Sequence, residues 1–405
     1  MATLDFITNI YNNLEDKLKV KIALLAHYGG NIGHEFMAEG MKNILNKYFQ
    51  GKDYEIDIYE QHQPFSILNN KLSKLMSFFR PGRGNLLKKV LLSPKIYNYI
   101  LKKHTQNILK YDMAIAVGGP NIVNNVGNSI DMQLLQHFMN DVFKYNNIPI
   151  LNISNGSCFP LANIPNELNE KDKFFWEKAL KSSDEITVRD KVAYDLLKNS
   201  IGYEPKLISC PAIYSAINFE KYGEKSEECI VINYLLKGAN EDWGQNVDTD
   251  KWKNTIEEFV KYLQKTYTYK IVFICHNAGE VKIAKALQLE NYDIVYPKNE
   301  EEYAKVVLKS KVALVSRIHA AIPFASVGVP SIVIGADTRL GTVQNIGLET
   351  HFVNNISLEI LIERFELLIE NIDEHKETLR KSKEKAFNDY SDLLDRYFMG
   401  DKNEK

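Results

Sequence analysis

The sequence predicts an α/β fold made of two doubly wound halves, and three observations carry that prediction. Short apolar runs alternate with stretches of helical periodicity, the pattern of parallel strands covered by helices. The runs form two series, one from Lys19 to Ser209 and one from Cys229 to Gly335. Several runs end in glycine or in a polar side chain, and open α/β sheets bind their ligands at such strand ends.

The elements follow in order. Lys19 to His27 (KVKIALLAH) reads as a buried strand. A glycine turn follows, Gly29-Gly30-Asn31-Ile32-Gly33. His34 to Phe49 has Phe36, Met37, Met41, Ile44, Leu45 and Tyr48 at helical spacing. Tyr54 to Tyr59 alternates like a strand. Residues 61–109 break the pattern: they are rich in Leu, Lys and Ser and read as a helical insertion. Lys71, Lys74, Arg80, Arg83, Lys88 and Lys89 make this the most basic stretch. A solvated helical face explains those charges, and so does a surface that leans on an anionic membrane. Strand signals resume at Met113–Val117, Ile148–Ile153, Glu185–Val188 and Lys206–Ser209. The second series runs CIVIN from Cys229, a helix at Trp252–Tyr267, KIVFICH at Lys270–His276, a strand at Lys311–Ser316 and PSIVIG at Pro330–Gly335. From about Leu358 the chain reads as charged helix. The boundary between halves falls near Tyr214 to Lys225, which gives domains of 1–215 and 216–405.

Composition narrows the function. Of 405 residues, 45% are hydrophobic and 25% charged, the balance of a globular chain. Lys and Arg number 50 against 52 Asp and Glu, so nucleic acid is not the expected partner. No apolar run reaches the length of a spanning helix. The N-terminus has no basic region leading into an apolar one, so no secretory signal is expected. Cys158, Cys210, Cys229 and Cys275 are scattered and form no C-x-x-C pair, which fits buried thiols in a reducing cytoplasm and argues against structural zinc. His34 and Glu35 are sequence neighbours and face apart on a helix, so no metal site is expected there.

Candidate chemistry gathers at strand ends. Ser316-Arg317-Ile318-His319 follows a strand and opens a helix. A helix N-terminus offers N–H groups and partial positive charge, so Arg317 and His319 there make an anion site with a titratable neighbour. Asp337 and Arg339 close the next strand, and a second cation suits a ligand with two anionic groups. In the first half, Gly29, Gly30 and Asn31 lead into Glu35, and Gly118 and Gly119 lead into Asn121. Asn152 to Ser157 ends another strand, and Arg189-Asp190 another. Tight turns and helix capping explain each of these glycine and Asp positions as well as a ligand rim does. The chain has no Walker motif, no G-x-S-x-G elbow and no H-E-x-x-H helix.

The glycine-rich opening loop, Gly118-Gly119, Val188-Arg189-Asp190 and above all Ser316-Arg317-Ile318-His319-Ala320 followed by Gly328-Val329-Pro330 resemble the polysaccharide pyruvyl transferase family, over roughly Ile22 to Gly347. The resemblance implies two Rossmann-like domains facing a cleft, as in GT-B glycosyltransferases. It implies transfer of a pyruvyl group from phosphoenolpyruvate to two hydroxyls of one sugar, giving a cyclic ketal. The acceptor would belong to a cell-surface polysaccharide or a lipid-linked precursor, which suits a cytoplasmic enzyme at the inner face of the membrane. Arg317 and His319 match the family's donor-binding residues, with Ser316 beside them, and Arg189 matches the Arg of its R-D motif. Arg339 stands where members commonly carry Lys after an Asp. His34 stands where an Asp is usual, and Pro120 where a third glycine is usual. The acceptor side would take Gly29, Gly30, Asn31, Glu35, Gly118, Gly119 and Asn121, with Glu35 or Asp131 as base. With three arginines on the donor, no metal and no other cofactor is called for. Two other readings suit the same residues: a GT-B glycosyltransferase that places a nucleotide-sugar diphosphate at Arg317, and a non-catalytic partner in an envelope-polymer complex.

Overall fold

The computed structural model describes residues 19–27, 32–61, 93–129, 132, 137–239, 241 and 243–398. The first half comprises β1 (Val20–Ala26), α1 (Ile32–Tyr48), β2 (Tyr54–Glu60), α2 (Pro94–His104), β3 (Met113–Val117), α3 (Met139–Tyr145), β4 (Ile150–Asn155), α4 (Glu170–Lys181), β5 (Glu185–Val188), α5 (Lys191–Ile201) and β6 (Lys206–Leu207). Its six strands lie in the order β2-β1-β3-β4-β5-β6, and every pairing is parallel. Parallel sheets are covered on both faces, so their strands are apolar throughout rather than alternating. β3 obeys this rule, and β4 is likewise buried at every residue although Asn152, Ser154 and Asn155 are polar. The insertion expected at 61–109 is helical where described, as α2 and a 3-10 turn at Gln106–Ile108. Its basic stretch, Lys71 to Lys89, lies outside the described residues, as do Gly29, Gly30, Asn31 and Asp131.

The second half comprises β7 (Cys229–Asn233), α6 (Thr249–Thr266), β8 (Lys270–Ile274), α7 (Ala278–Lys285), β9 (Tyr292–Val295), α8 (Glu300–Leu308), β10 (Ser310–Val315), α9 (Ile318–Ser326), β11 (Ser331–Gly335), α10 (Leu340–Gln344), β12 (Glu349–Phe352), α11 (Leu358–Glu370) and α12 (Ile372–Phe398). Its order is β12-β11-β10-β7-β8-β9, again all parallel. This is the Rossmann order, and it reverses between β7 and β10.

Local chemistry marks many helix starts. Asn169, Asp190, Asp248, Asn277, Asn299 and Ser357 each accept a backbone N–H in the first turn of the helix they precede. The Asp190 of the Arg-Asp pair is thus a helix cap, bonded to Ala193 N and also to Ser157 N and Oγ.

Contacts at several places join the halves. A bridge pairs Pro160 with Asp337, flanked by Thr338 N donating to Phe159 O at 2.9 Å and Phe159 N donating to Thr338 Oγ1 at 3.0 Å. The last helix, α12, then returns to the first half. Tyr390 Oη donates to Ser209 O at 3.0 Å, Tyr48 Oη donates to Asp395 at 2.6 Å, and Arg396 pairs with Glu185 at 2.8 Å. One apolar cluster accordingly runs through both sheets, from Ile22 and Met37 through Ile213 and Ala321 to Leu394.

Candidate active site

The strand ends at the reversal between β7 and β10 carry a dense polar network. Asn233 closes β7 and is 1% exposed. Its Oδ1 accepts from Arg317 N at 2.9 Å, and its Nδ2 donates to Ile274 O at 3.0 Å. Glu280, in the first turn of α7, is 3% exposed. Its carboxylate accepts from His276 N at 2.8 Å, Asn277 Nδ2 at 2.8 Å and Arg317 Nε at 2.7 Å, and it pairs with Arg317 Nη2. These donors satisfy the oxygens of a carboxylate that burial has taken out of water. It holds the Arg317 guanidinium by one edge and leaves Nη1 outside the pair.

Arg339 is held the same way one strand further. Asp337, closing β11, accepts from Arg339 N at 3.0 Å, Nε at 2.8 Å and Nη2 at 2.6 Å. Arg317, Arg339, Ser316 and His319 line one narrow cavity of about 50 Å³, with His276 and Asp337 in its wall. His319 lies in the first turn of α9, so the N-terminal end of that helix faces the cavity. α1 closes over it: a Cβ on Gly33 would stand 2.5 Å from the Cβ of His319, so only glycine admits this approach. His276 is neutral, because burial and then the Arg317 charge push its pKa down to about 3. Cys158 is a neutral thiol rather than a nucleophile, because burial pushes its pKa up to about 11.

Arg189 does not line this cavity. It is 1% exposed and lies beneath the strand ends, with Nη1 2.8 Å from Met37 Sδ, against Gly156, whose Cβ would fall 2.5 Å from Nε. Asn345, just after α10, donates its Nδ2 to Arg189 O at 3.5 Å, so Arg189 sits behind the cavity rather than far from it. Two of the three expected arginines therefore converge on the cavity, with His319 and, unforeseen, His276. Gly118, Gly119 and Asn121 fix the backbone of β3 and β4: Gly118 N donates to Ile153 O at 2.7 Å, Gly156 N to Gly119 O at 2.8 Å, and Asn121 Nδ2 to Asn155 Oδ1 at 3.1 Å. Glu35 faces a second cavity between α1 and the segment after β9.

Sequence reasoning missed Asn233, His276 and Glu280. Asn277-x-x-Glu280 is a capping-box pattern, and reading it would have placed a carboxylate at this strand end. Asn233 and His276 end the strands CIVIN and KIVFICH and were absorbed into them as core.

The model of the polysaccharide pyruvyl transferase family matches residues 31–338. No curated protein matches the chain. Among solved structures it is similar to the UDP-GlcNAc 2-epimerase of Neisseria meningitidis bound to UDP-GlcNAc, with a TM-score of 0.55 and 14% identity over 94% of this chain and 100% of that one. It is similar also to MnaA of S. aureus in a co-structure with UDP, with a TM-score of 0.51 and 12% identity over 94% of this chain and 97% of that one. At these identities the likeness concerns the fold, two Rossmann-like domains in a GT-B-like arrangement. With the family's pattern covering most of its length and its Arg and His residues gathered at one strand-end cavity, the chain belongs to the polysaccharide pyruvyl transferase family.

Proposed function

We propose that this protein transfers a pyruvyl group from phosphoenolpyruvate to two hydroxyls of a sugar in a cell-surface polysaccharide or its precursor, forming a cyclic ketal. The observation that carries this reading is the convergence of Arg317, Arg339 and His319 on one cavity at the topological switch point. Glu280 and Asp337 fix the two guanidinium groups and leave Nη1 of each for the donor's carboxylate and phosphate.

In this mechanism His319 donates a proton to the methylene carbon of phosphoenolpyruvate. The carbon that bears the phosphate becomes oxocarbenium-like, and a sugar hydroxyl adds to it and loses its proton. A second hydroxyl of the same sugar then displaces inorganic phosphate and closes the ketal. Proton transfer of this kind supplies about 10²–10⁴ in rate.

The test is mass spectrometry of glycan and lipid-linked acceptors incubated with enzyme and phosphoenolpyruvate. The product gains one pyruvate less one water, with release of one phosphate. Tight binding of UDP or GDP by a protein that ignores phosphoenolpyruvate would move the reading to a nucleotide-sugar glycosyltransferase. No helix among the described residues is long and apolar enough to cross a membrane. A lipid-linked acceptor would therefore be met at a surface, and flotation with anionic liposomes, with and without reversal of the Lys71–Lys89 charges, tests that contact.

A further inference from the structure

A further cavity, of about 310 Å³, lies at the opposite end of α9 from His319. Three parts of the chain wall it: Ile217 and Lys225 from the connection between the halves, Ser326 and Val327 from the end of α9, and Arg380 and Lys383 from α12. The length of α9, about 13 Å, separates it from the Arg317 cavity.

Four cations and one carboxylate line it: Lys225, Lys376, Arg380 and Lys383, with Glu220. Lys376 pairs with Glu227 at 2.7 Å and Arg380 with Glu377 at 2.7 Å, so those two charges are answered. Lys225 and Lys383 are held differently. Lys225 Nζ donates to Val327 O and Lys383 Nζ to Ser326 O, each at 2.8 Å, and among the described residues neither forms an ion pair with a carboxylate. Glu220 attracts both from beyond ion-pair distance.

Capping of α9 does not use these ammonium groups up. The helix closes through its own backbone: Gly328, at a φ of 76°, donates its N–H to Ala325 O at 3.0 Å, and Val329 donates to Phe324 O at 2.8 Å, the pattern of a Schellman motif. The two lysines take only the next two carbonyls. An ammonium has three donors, so each keeps two N–H groups beyond its carbonyl. Both charges are also drawn partly out of water. Burial, then the neighbouring Lys47, pushes the Lys383 pKa down to about 8, and burial, then Lys376, lowers that of Lys225. A cation taken out of water without a counter-charge is costly, and one anion between the two would answer both.

The walls select the kind of anion. Lysines bind phosphate as point charges, and a phosphate monoester offers three acceptor oxygens and up to two negative charges. Leu308, Ala325 and Leu379 add an apolar wall for the body of the ligand. The volume stands at the lower end of the range of about 300–1,000 Å³ typical of small-molecule sites, which suits a phosphate on a short carbon skeleton.

We infer that this cavity is a binding site for a small phosphate monoester, whose phosphate sits between Lys225 and Lys383. None of Arg317, His319 and Arg339 lines it, so the ester held there is not the one that reacts. The inference stands independently of the pyruvyl-transfer reading.

Calorimetry on the full chain tests it, with inorganic phosphate, glycerol 3-phosphate and glucose 6-phosphate as probes. At least one should bind, and more weakly as NaCl is raised. Lys383→Met and Lys225→Met remove the charge and keep an unbranched side chain. Each should weaken that binding by about tenfold or more, the worth of one charge-assisted hydrogen bond. Lys225 is exposed, so its variant carries the test should Lys383→Met fail to fold. A local readout separates this cavity from the one at Arg317. A saturating probe should slow acetylation of Lys225 by N-hydroxysuccinimidyl acetate, followed by mass spectrometry, and leave that of Lys261 on α6 unchanged. Unchanged affinity in a folded Lys225→Met or Lys383→Met protein overturns the site. Acetylation of Lys225 at the same rate with and without bound probe overturns it too, as does silence of all three probes.

Discussion

At the scale of single residues, His319 and His276 divide the chemistry by environment. His319 is half-buried at a helix N-terminus beside two carboxylate-anchored arginines. His319→Ala should lower kcat by about 10²–10⁴ while phosphoenolpyruvate affinity and melting temperature hold, and steady-state kinetics with calorimetry check this. Wild-type turnover in that variant would remove His319 from the mechanism. His276 and His137 are held neutral, each with its pKa pushed from 6.5 down to about 3 by burial first, then by Arg317 and Lys178 respectively. The unfolded chain therefore binds protons that the folded chain refuses between those values. Stability is fully present above about pH 6.5 and is lost as the pH falls toward 3, by roughly 1.4 kcal/mol per pH unit per histidine. Denaturant titrations from pH 7 to 4 should show that slope, and His137→Phe should remove about half of it.

At the scale of elements, helix starts hold the site in place. α7 begins at Asn277, whose side chain accepts from Glu280 N at 3.0 Å, and this cap sets the carboxylate that grips Arg317. Asn277→Ala should cost about 1 kcal/mol of stability. It should also raise the KM for phosphoenolpyruvate more than it lowers kcat, since it loosens Arg317 rather than His319. A fall in apparent kcat with KM unchanged would mean that α7 contributes only to folding. α9 and α1 meet through Gly33, so Gly33→Ala should displace His319 and reduce turnover with little change in circular dichroism. The edge strands β9 and β12 escaped sequence reading for a physical reason: their residues are mostly half-buried, so neither has the solid apolar run of β3 or β11. The helix caps, by contrast, are written locally, because an Asn or Asp needs only the next three residues to do its work.

At the scale of the whole molecule, α12 joins the two halves into one unit. Leu379, Ala386, Leu393 and Leu394 are at most 1% exposed in a core shared with β1 and α9. Leu394→Ala should cost about 2–5 kcal/mol and lower the melting of both halves together in one calorimetric transition. Two separate transitions would show that the halves fold independently. The alternation of strands and helices, the two series, the capping reading of Asp190 and the Arg-x-His at a strand end were all legible in the sequence, because each is fixed by residues a few positions apart. The sequence did not reveal that Glu280 and Asp337 would take up the edges of Arg317 and Arg339, nor that Arg189 would lie behind the cavity rather than in it. Those outcomes depend on which strands become neighbours and how the two sheets are docked. That docking is set by burial summed over a core of distant residues, which no local pattern records.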